Sequence, residues 1–491
     1  MNSAAGPAAS EVRFLLNGRL VCEPALPCTM TVLEYLREVR GLTGTKEGCA
    51  EGDCGACTVV EGALTPDGSH IQYRAINSCI RFMATLDGHE VVTVEGLRGA
   101  DGSLHPVQQS LVDHHGSQCG FCTPGFVMSL FALYLQGGAA SRERVIHALS
   151  GNLCRCTGYR PIIDAGTTMH AYPAPEQWSD AAPLDGSRRA ALAALVRREP
   201  LRLPGFYAPR SEAQLAEELQ RVPQSLVLAG GTDVGLWVTK QLRDLPPIVY
   251  LGAIESLQRV DADAHGLRIG AAVSLTDAWD ALVTRWPSLQ EVADRFGSPP
   301  VRNSGTLCGN LANGSPIGDA LPTLIALGAE IELRRGAEIR RLALEKFYLG
   351  YQKKDLAVGE FVIAVRIPAP VDGMRVRVFK LSKRIDQDIS AVCLACAVSV
   401  DGNRIVAARV ALGGMAAVAA RAPAAERILT GAPWSHDTFE RAAASFAQDF
   451  KPLSDMRASS DYRMTGAANL LRRFFLSYEP DALTRVAEVS A

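Results

Sequence analysis

The chain has 491 residues, enough for roughly three or four domains of about 100–200 residues each. Its 47% hydrophobic content supports buried cores, and a formal net charge of −2 without a basic tract argues against a nucleic-acid binder. No apolar run reaches the ~18–20 residues of a membrane span, and Met1 to Ser10 lacks the basic and apolar regions of a secretory signal.

Residues 1–10 read as a loose tail. Val12 to Leu16 reads as a strand entering an Asn17-Gly18 hairpin turn, with Leu20-Val21 on the return strand. A short helix follows, capped by Thr31 with Glu34 three residues on, and Leu33, Leu36 and Val39 mark its apolar side. Next comes the Gly-rich loop Glu47-Gly48-Cys49-Ala50-Glu51-Gly52-Asp53-Cys54-Gly55-Ala56-Cys57. Two strands, Thr58–Glu61 and His70–Ala75, then lead to Cys79. Cys49-x4-Cys54-x2-Cys57 with a distant fourth cysteine is the plant-type [2Fe–2S] spacing. Gly48, Gly52 and Gly55 permit the tight turns that aim backbone N–H groups at anionic sulfur. Zinc sites pair two short knuckles and fit this spacing poorly. Strands and one helix around such a loop imply a ferredoxin-like β-grasp module. The 13 cysteines without an export signal point to a reducing cytoplasm and metal ligation in place of disulfides.

From His105 the pattern turns helical. Pro106 opens one helix with Val107, Leu111 and Val112 as its apolar positions. Thr123 as cap and Pro124 at the first position open a second, with Phe126, Val127, Leu130, Phe131, Leu133 and Tyr134 inward. Ser141 caps a third, carrying Val145, Ile146 and Leu149, and Arg160-Pro161 starts a fourth. Cys119 and Cys122 lie at a helix N-terminus, where the partial positive charge favours thiolates. Cys154 and Cys156 lie in a loop between two other helices. Spacing alone leaves this second set open to either zinc or an iron–sulfur cluster. Cys393 and Cys396 sit in the strand-like run Ala391–Val400 and read as buried, inert thiols, since positions three apart in a strand face opposite sides.

Weak periodicity over 171–197 reads as a linker. Ser211 caps a helix through Leu215 and Leu219. Val227, Leu228 and Ala229 end a buried strand that runs into Gly230-Gly231-Thr232-Asp233-Val234, a turn whose bare backbone N–H groups suit a pyrophosphate. By itself that motif is weak, because Gly-Gly after a strand is most often only a turn. Residues 302–319 are rich in turn formers and read as a long loop of the functional kind. No GxGxxG fingerprint follows a first strand, so a Rossmann flavin site is not supported. Beyond 370, strands (Arg375–Lys380, Ala391–Val400, Arg404–Leu412) alternate with helices (Pro433–Phe450, Tyr462–Phe475).

Gln118-Cys119-Gly120-Phe121-Cys122-Thr123-Pro124-Gly125, followed by Gly151-Asn152-Leu153-Cys154-Arg155-Cys156-Thr157-Gly158-Tyr159, resembles the second-cluster domain of the xanthine oxidase family of molybdenum hydroxylases. The resemblance, not spacing, turns the second set from zinc to [2Fe–2S]. It covers 10–165 with no mismatched ligand. In that family the second cluster lies nearest the molybdenum, and the counterpart of Gln118 contacts the pterin. The stretches at 227–234 and 302–319 resemble the family's flavin domain, of the vanillyl-alcohol-oxidase type. The resemblance implies that Val227 to Val234 wrap the FAD pyrophosphate and that Phe296 lies against the isoalloxazine. It further implies that Thr306, Leu307, Cys308, Gly309 and Asn310 line the cofactor and that Asp319 contacts its adenosine side. Val362 and Lys380 match two further flavin-contacting positions. Cys308 stands where the family commonly has glycine, a place where a side chain would crowd the flavin or alter its potential. Arg384 to Ile389 looks like a loop near the flavin's exposed edge.

The implied fold is an α+β multidomain chain: a β-grasp [2Fe–2S] ferredoxin domain at 10–92, a four-helix [2Fe–2S] domain at 93–170, the linker, an α/β FAD-binding domain at 198–370, and an α+β flavoprotein-associated domain at 371–491. A molybdenum-binding portion needs several hundred more residues than follow this flavin part. The resemblance therefore implies the iron–sulfur/flavin subunit of a purine-oxidising, NAD-dependent member. Its molybdenum cofactor would sit on a large partner chain in a heterotetramer. Electrons would pass from there through both clusters to FAD and on to NAD⁺, with no acid or base required from this chain. The alternatives are a member acting on an aldehyde or N-heterocycle, a stand-alone flavin–iron–sulfur reductase, and a zinc-stapled structural module.

Overall fold

Asn17 and Gly18 take positive φ (52° and 79°), which closes the hairpin between β1 (Val12–Leu16) and β2 (Arg19–Glu23). The computed structural model describes residues 8–178 and 186–480. The described residues divide into two units: one of 8–178, 186–256, 274–276 and 297–305, the other of 257–273, 277–296 and 306–480.

In the first unit, β3 (Thr58–Leu64), β4 (Ile71–Asn77) and β5 (Glu90–Val92) complete a five-stranded sheet in the order β2-β1-β5-β3-β4. The β1–β5 pair is parallel and the others antiparallel, the β-grasp arrangement. Thr31 caps the helical segment 32–39 by accepting from the Glu34 amide at 3.1 Å, and Tyr35 and Leu36 are buried while Val39 is exposed. Residues 1–7 of the expected tail lie outside the described residues, and Ala9 bridges to Leu201.

Four helices follow: α1 (Pro106–Asp113), α2 (Thr123–Leu135), α3 (Arg142–Leu149) and α4 (Arg160–Thr168). Phe126, Leu130, Phe131, Val145 and Ile162 form their core. Cys122, not Thr123, is the residue before α2, and the Thr123 hydroxyl instead meets Ser117 Oγ at 2.7 Å. Val112 and Ile146 face outward. The described parts of the 171–197 stretch, 171–178 and 186–197, pack on the first unit. Trp178 is buried against Phe131 at a ring distance of 4.8 Å, and α5 (Ser187–Leu195) places Leu192 on Leu15.

The first unit continues with β6 (Leu201–Leu203), β7 (Phe206–Ala208), α6 (Glu212–Arg221), β8 (Leu226–Leu228), α7 (Val234–Thr239) and β9 (Ile248–Tyr250). The sheet order is β6-β7-β9-β8, with β8 and β9 parallel. Ser211 caps α6 by accepting from the Gln214 amide at 3.2 Å. The first unit closes with α8 (Pro299–Ser304).

The second unit has a five-stranded antiparallel sheet of order β10-β11-β16-β12-β13: β10 (Val260–Asp263), β11 (Gly266–Gly270), β12 (Glu330–Arg335), β13 (Glu338–Ala343) and β16 (Phe361–Pro368). A hairpin of β14 (Tyr348–Gly350) and β15 (Lys353–Lys354) intervenes. Helix α9 (Leu307–Asn313) packs on β11 and β16, and α10 (Ala320–Ala326) follows. The predicted long loop over 302–319 is thus largely helical. A second antiparallel sheet holds β17 (Met374–Leu381), β18 (Val392–Asp401), β19 (Arg404–Gly413) and β20 (Ala420–Arg421). Helices α11 (Pro423–Leu429), α12 (His436–Ala444) and α13 (Ser460–Leu476) complete its core through Phe439, Leu471 and Phe474. Both α10 and α13 pack on β18, which explains why Cys393 and Cys396 are buried although three positions apart.

Candidate redox centres

Positive φ at Ala50, Gly52 and Gly55 (54°, 79° and 70°) curls the first cysteine loop so that its amides point inward. The Asp53 and Cys54 amides donate to Cys49 Sγ at 3.4 and 3.3 Å. Cys57 and Cys79, on the strand side, bring their sulfurs to 3.3 Å, and Asn77 Nδ2 approaches Cys57 Sγ at 3.9 Å. The Cys49 thiol is pulled down to about 4 by the Cys54 thiol and by the loop amides, while Cys54 is pushed up. Cys57 is likewise lowered by Cys79, which rises. In each pair one thiol is lowered and its neighbour raised, because two adjacent thiolates repel.

The second loop repeats this logic. The Phe121 amide and the Cys156 thiol lower Cys119, and Cys156 rises. Burial and the Cys154 thiol push Cys122 up to about 12, whereas burial of Cys154 is outweighed by Thr157, whose hydroxyl lies 3.3 Å from its sulfur. The Cys154 amide donates to the Tyr159 hydroxyl at 3.0 Å. All eight thiols are unpaired by disulfides. The thiols meet in twos: Cys49 with Cys54 and Cys57 with Cys79, then Cys119 with Cys156 and Cys122 with Cys154. Four thiolates in two pairs fit a centre with two irons.

The two loops interlock. The Leu153 amide donates to the Cys54 carbonyl at 3.0 Å, and Asn152 Nδ2 to the Gly55 carbonyl at 3.2 Å. Ser129 fixes Asn152 by donating to its Oδ1 at 2.6 Å. A Cβ on Gly55 would stand 2.1 Å from the Gly151 carbonyl oxygen, and one on Gly125 2.1 Å from that of Gly55. Cys57 and Cys79 are buried, whereas Cys119, Cys156 and Gln118 are exposed.

Of the flavin positions, Val227 to Val234 belong to the first unit. The strand β8 carries Val227 and Leu228, and Ala229 to Asp233 form the turn before α7 at Val234. Gly231 has φ 76°, and a Cβ on Gly230 would stand 2.1 Å from the Ser304 carbonyl oxygen. Glycine is obligatory at that approach. Ser304 Oγ is buried without a partner.

The second unit holds the others. Thr306 caps α9 by accepting from the Gly309 amide at 3.0 Å, and Leu307 is buried. Asn310 Oδ1 is buried without a partner, an acceptor left over for a ligand. Phe296 lies 5.4 Å from Trp279, ring to ring. Lys380 donates to Asp319 Oδ2 at 2.9 Å and to the Arg295 carbonyl at 3.1 Å, and Ser390 donates to Asp319 Oδ1 at 2.6 Å. These bonds draw Asp319 and Lys380 to the residue beside Phe296. Val362 is buried on β16, on which α9 packs. Cys308 turns into the core, its sulfur 3.7 Å from the Ile269 carbonyl, and burial pushes its thiol up to about 12. The Cys308 side chain is thus taken up by the sheet.

Four family models match: 2Fe-2S iron-sulfur cluster binding domain at 14–83, [2Fe-2S] binding domain at 93–167, FAD binding domain in molybdopterin dehydrogenase at 200–370, and CO dehydrogenase flavoprotein C-terminal domain at 377–478. A xanthine dehydrogenase of Emericella nidulans is 33% identical over 94% of this chain and 38% of its own length. One from Drosophila subobscura is 31% identical over 91% of this chain and 37% of its own. The chain belongs to the xanthine oxidase family of molybdenum hydroxylases.

This family member spans about two-fifths of those curated relatives. A solved carbon monoxide dehydrogenase of Hydrogenophaga pseudoflava covers 55% of it, with a TM-score of 0.52, 27% identity and 94% of the matched chain. Quinoline 2-oxidoreductase from Pseudomonas putida gives a TM-score of 0.51, 28% identity, 55% of this chain and 95% of its own. The cofactors of this molybdenum-hydroxylase portion are two [2Fe–2S] clusters and FAD. Sequence reasoning missed Asn152, Ser304 and Arg295. Asn152 lies beside Cys154 in sequence, and no local pattern marks it as the bridge between loops.

Proposed function

We propose that the chain is the electron-transfer subunit of a cytoplasmic xanthine dehydrogenase, working with a molybdopterin-binding large subunit in a heterotetramer. Xanthine or hypoxanthine is hydroxylated on that partner, and NAD⁺ is the final acceptor. Cys49, Cys54, Cys57 and Cys79 hold one cluster, and Cys119, Cys122, Cys154 and Cys156 the other. Residues 227–234, Phe296, Thr306, Leu307, Gly309, Asn310, Asp319, Val362 and Lys380 serve the flavin, Cys308 through its main chain alone. Clusters supply one-electron carriage at low potential, and a flavin exchanges single electrons for a hydride pair.

The observation that carries the reading is the Leu153–Cys54 hydrogen bond, which joins a residue next to Cys154 directly to a ligand of the other set. It supports passage from the second cysteine set to the first. The exposure of Cys119 and Cys156 supports the second set as the entry point. No helix among the described residues is long and apolar enough to cross a membrane. The xanthine dehydrogenases match over nearly the whole chain, whereas the carbon monoxide and quinoline chains match only 55% of it. That contrast favours a purine hydroxylase, with other hydroxylase substrates as the runner-up.

The deciding experiment is purification of the chain with its co-purifying partner, followed by anaerobic assay with xanthine and NAD⁺. Xanthine-dependent NADH formation is expected. Turnover of an aldehyde or N-heterocycle without any purine activity would transfer the assignment to another member. Catalytic diaphorase activity by the chain alone, with no partner in vivo, would make it a stand-alone reductase.

A further inference from the structure

Ile80 is wedged between two glycines. A Cβ on Gly52, in the first cysteine loop, would lie 2.7 Å from Ile80 Cδ1. A Cβ on Gly235, in α7, would lie 2.5 Å from the Ile80 carbonyl oxygen and 3.0 Å from its Cα. Real Cβ atoms do not approach backbone that closely, so α7 can sit where it does only because position 235 has no side chain. One turn further, Thr239 Oγ1 donates to the Ala50 carbonyl at 2.7 Å, with the Gly235 carbonyl at 3.1 Å as its second acceptor. Ala50 follows Cys49 and Ile80 follows Cys79, so α7 is fastened at both ends of the first cysteine set. The Lys240–Glu51 pair at 3.6 Å is about half exposed and adds little. The same short helix begins directly after the Gly230–Asp233 turn.

We infer that Gly235 and Thr239 are positioning residues that set how closely the flavin turn approaches the first iron–sulfur cluster, and so set the rate of electron exchange between them. The inference rests on the functional reading above. Electron tunnelling falls exponentially with separation, so a small outward displacement of α7 slows exchange without removing either cofactor. Gly235 acts by contact distance. Thr239 acts through a directional hydrogen bond, which serine can reproduce and valine cannot.

The test uses the full chain loaded with iron, sulfide and FAD. A short radiolytic pulse injects single electrons, and absorbance follows their redistribution between flavin and clusters. Gly235→Ala and Thr239→Val are expected to slow redistribution several-fold, and Thr239→Ser to restore it. Cluster and flavin midpoint potentials and cofactor content should match the parent. Parental rates in both Gly235→Ala and Thr239→Val would overturn the inference, as would slowing that tracks a shifted potential. If Gly235→Ala loses cofactors, the Thr239 pair still decides. An absence of any redistribution in the parent protein would sink the electron-transfer reading itself, a result distinct from unchanged variants.

Discussion

The Leu153 amide and the Cys54 carbonyl, 3.0 Å apart, tie the two cysteine loops together through backbone alone. A main-chain bond cannot be removed by changing either side chain, so what protects it is the space around it. Gly55, Gly125 and Gly151 supply that space, because each backbone passes within contact of the next. The two cysteine loops are therefore held together by glycine-mediated close packing.

Gly55→Ala tests this directly. Its Cβ would meet the Gly151 carbonyl oxygen at 2.1 Å, and φ there is 70°. Overpacking costs about 1–3 kcal/mol or more, and the positive φ adds to it. The expected outcome is a lower melting temperature and altered magnetic coupling between two retained clusters in EPR. An unchanged spectrum with unchanged stability would contradict the interlock.

Cys156→Ser separates the two sets. Cys156 is exposed, so serine there perturbs no core. One EPR-visible cluster should disappear while the other and the flavin remain. Two intact clusters would refute the ligand assignment for that set.

Parts of this architecture were legible because local chemistry and tertiary role coincide. Asn17-Gly18 makes its turn wherever it sits, and Ser141 and Ser211 cap helices with their own side chains. The cysteine spacings are equally local. The 302–319 stretch failed that test, since its Ser, Asn and Gly content reads as loop. In the fold, Thr306 caps α9 and Gly305 separates it from α8, so the turn formers are caps and breaks between short helices. Contacts such as Gly230 against Ser304 join positions far apart in the chain and leave no periodic trace. The Ala-rich 187–195 helix leaves little trace for the opposite reason: its buried face is only Leu192 and Leu195.

Asp319→Ala should be strongly destabilising. Lys380 and Asp319 are both buried, and removal of one partner leaves an uncompensated charge worth about 3–5 kcal/mol. Lys380→Met in the same background should recover part of that loss, because the two effects are not additive. Flavin content should fall in both variants. Recovery of stability with full flavin retention would show the pair to be structural only.

Cys308→Ala should cost only about 1 kcal/mol, the scale of a small core truncation. Since its sulfur faces the Ile269 carbonyl and its thiol is raised to about 12, it should resist alkylation in the native protein. The flavin spectrum should not change. A shifted spectrum would return Cys308 to the cofactor's edge.

Glu61 gives a pH signature. Burial works to raise its pKa, but Arg81 at 3.2 Å and His89 at 2.6 Å outweigh this and hold it at about 2, below the ordinary 4.5. A depressed carboxyl pKa stabilises the fold above its unfolded value, and that contribution drains away as pH falls toward the folded value. From 4.5 to about 2 the difference is worth about 3 kcal/mol. Glu61→Gln removes it and leaves the buried Arg81 without its counter-charge. The melting-temperature gap between parent and variant should therefore be widest above pH 5 and close progressively between about pH 4.5 and 2. Acid loss of the clusters affects both proteins and cancels in that gap. A gap that stays constant over the interval would mean that Glu61 titrates normally and that Arg81 and His89 do not hold its charge.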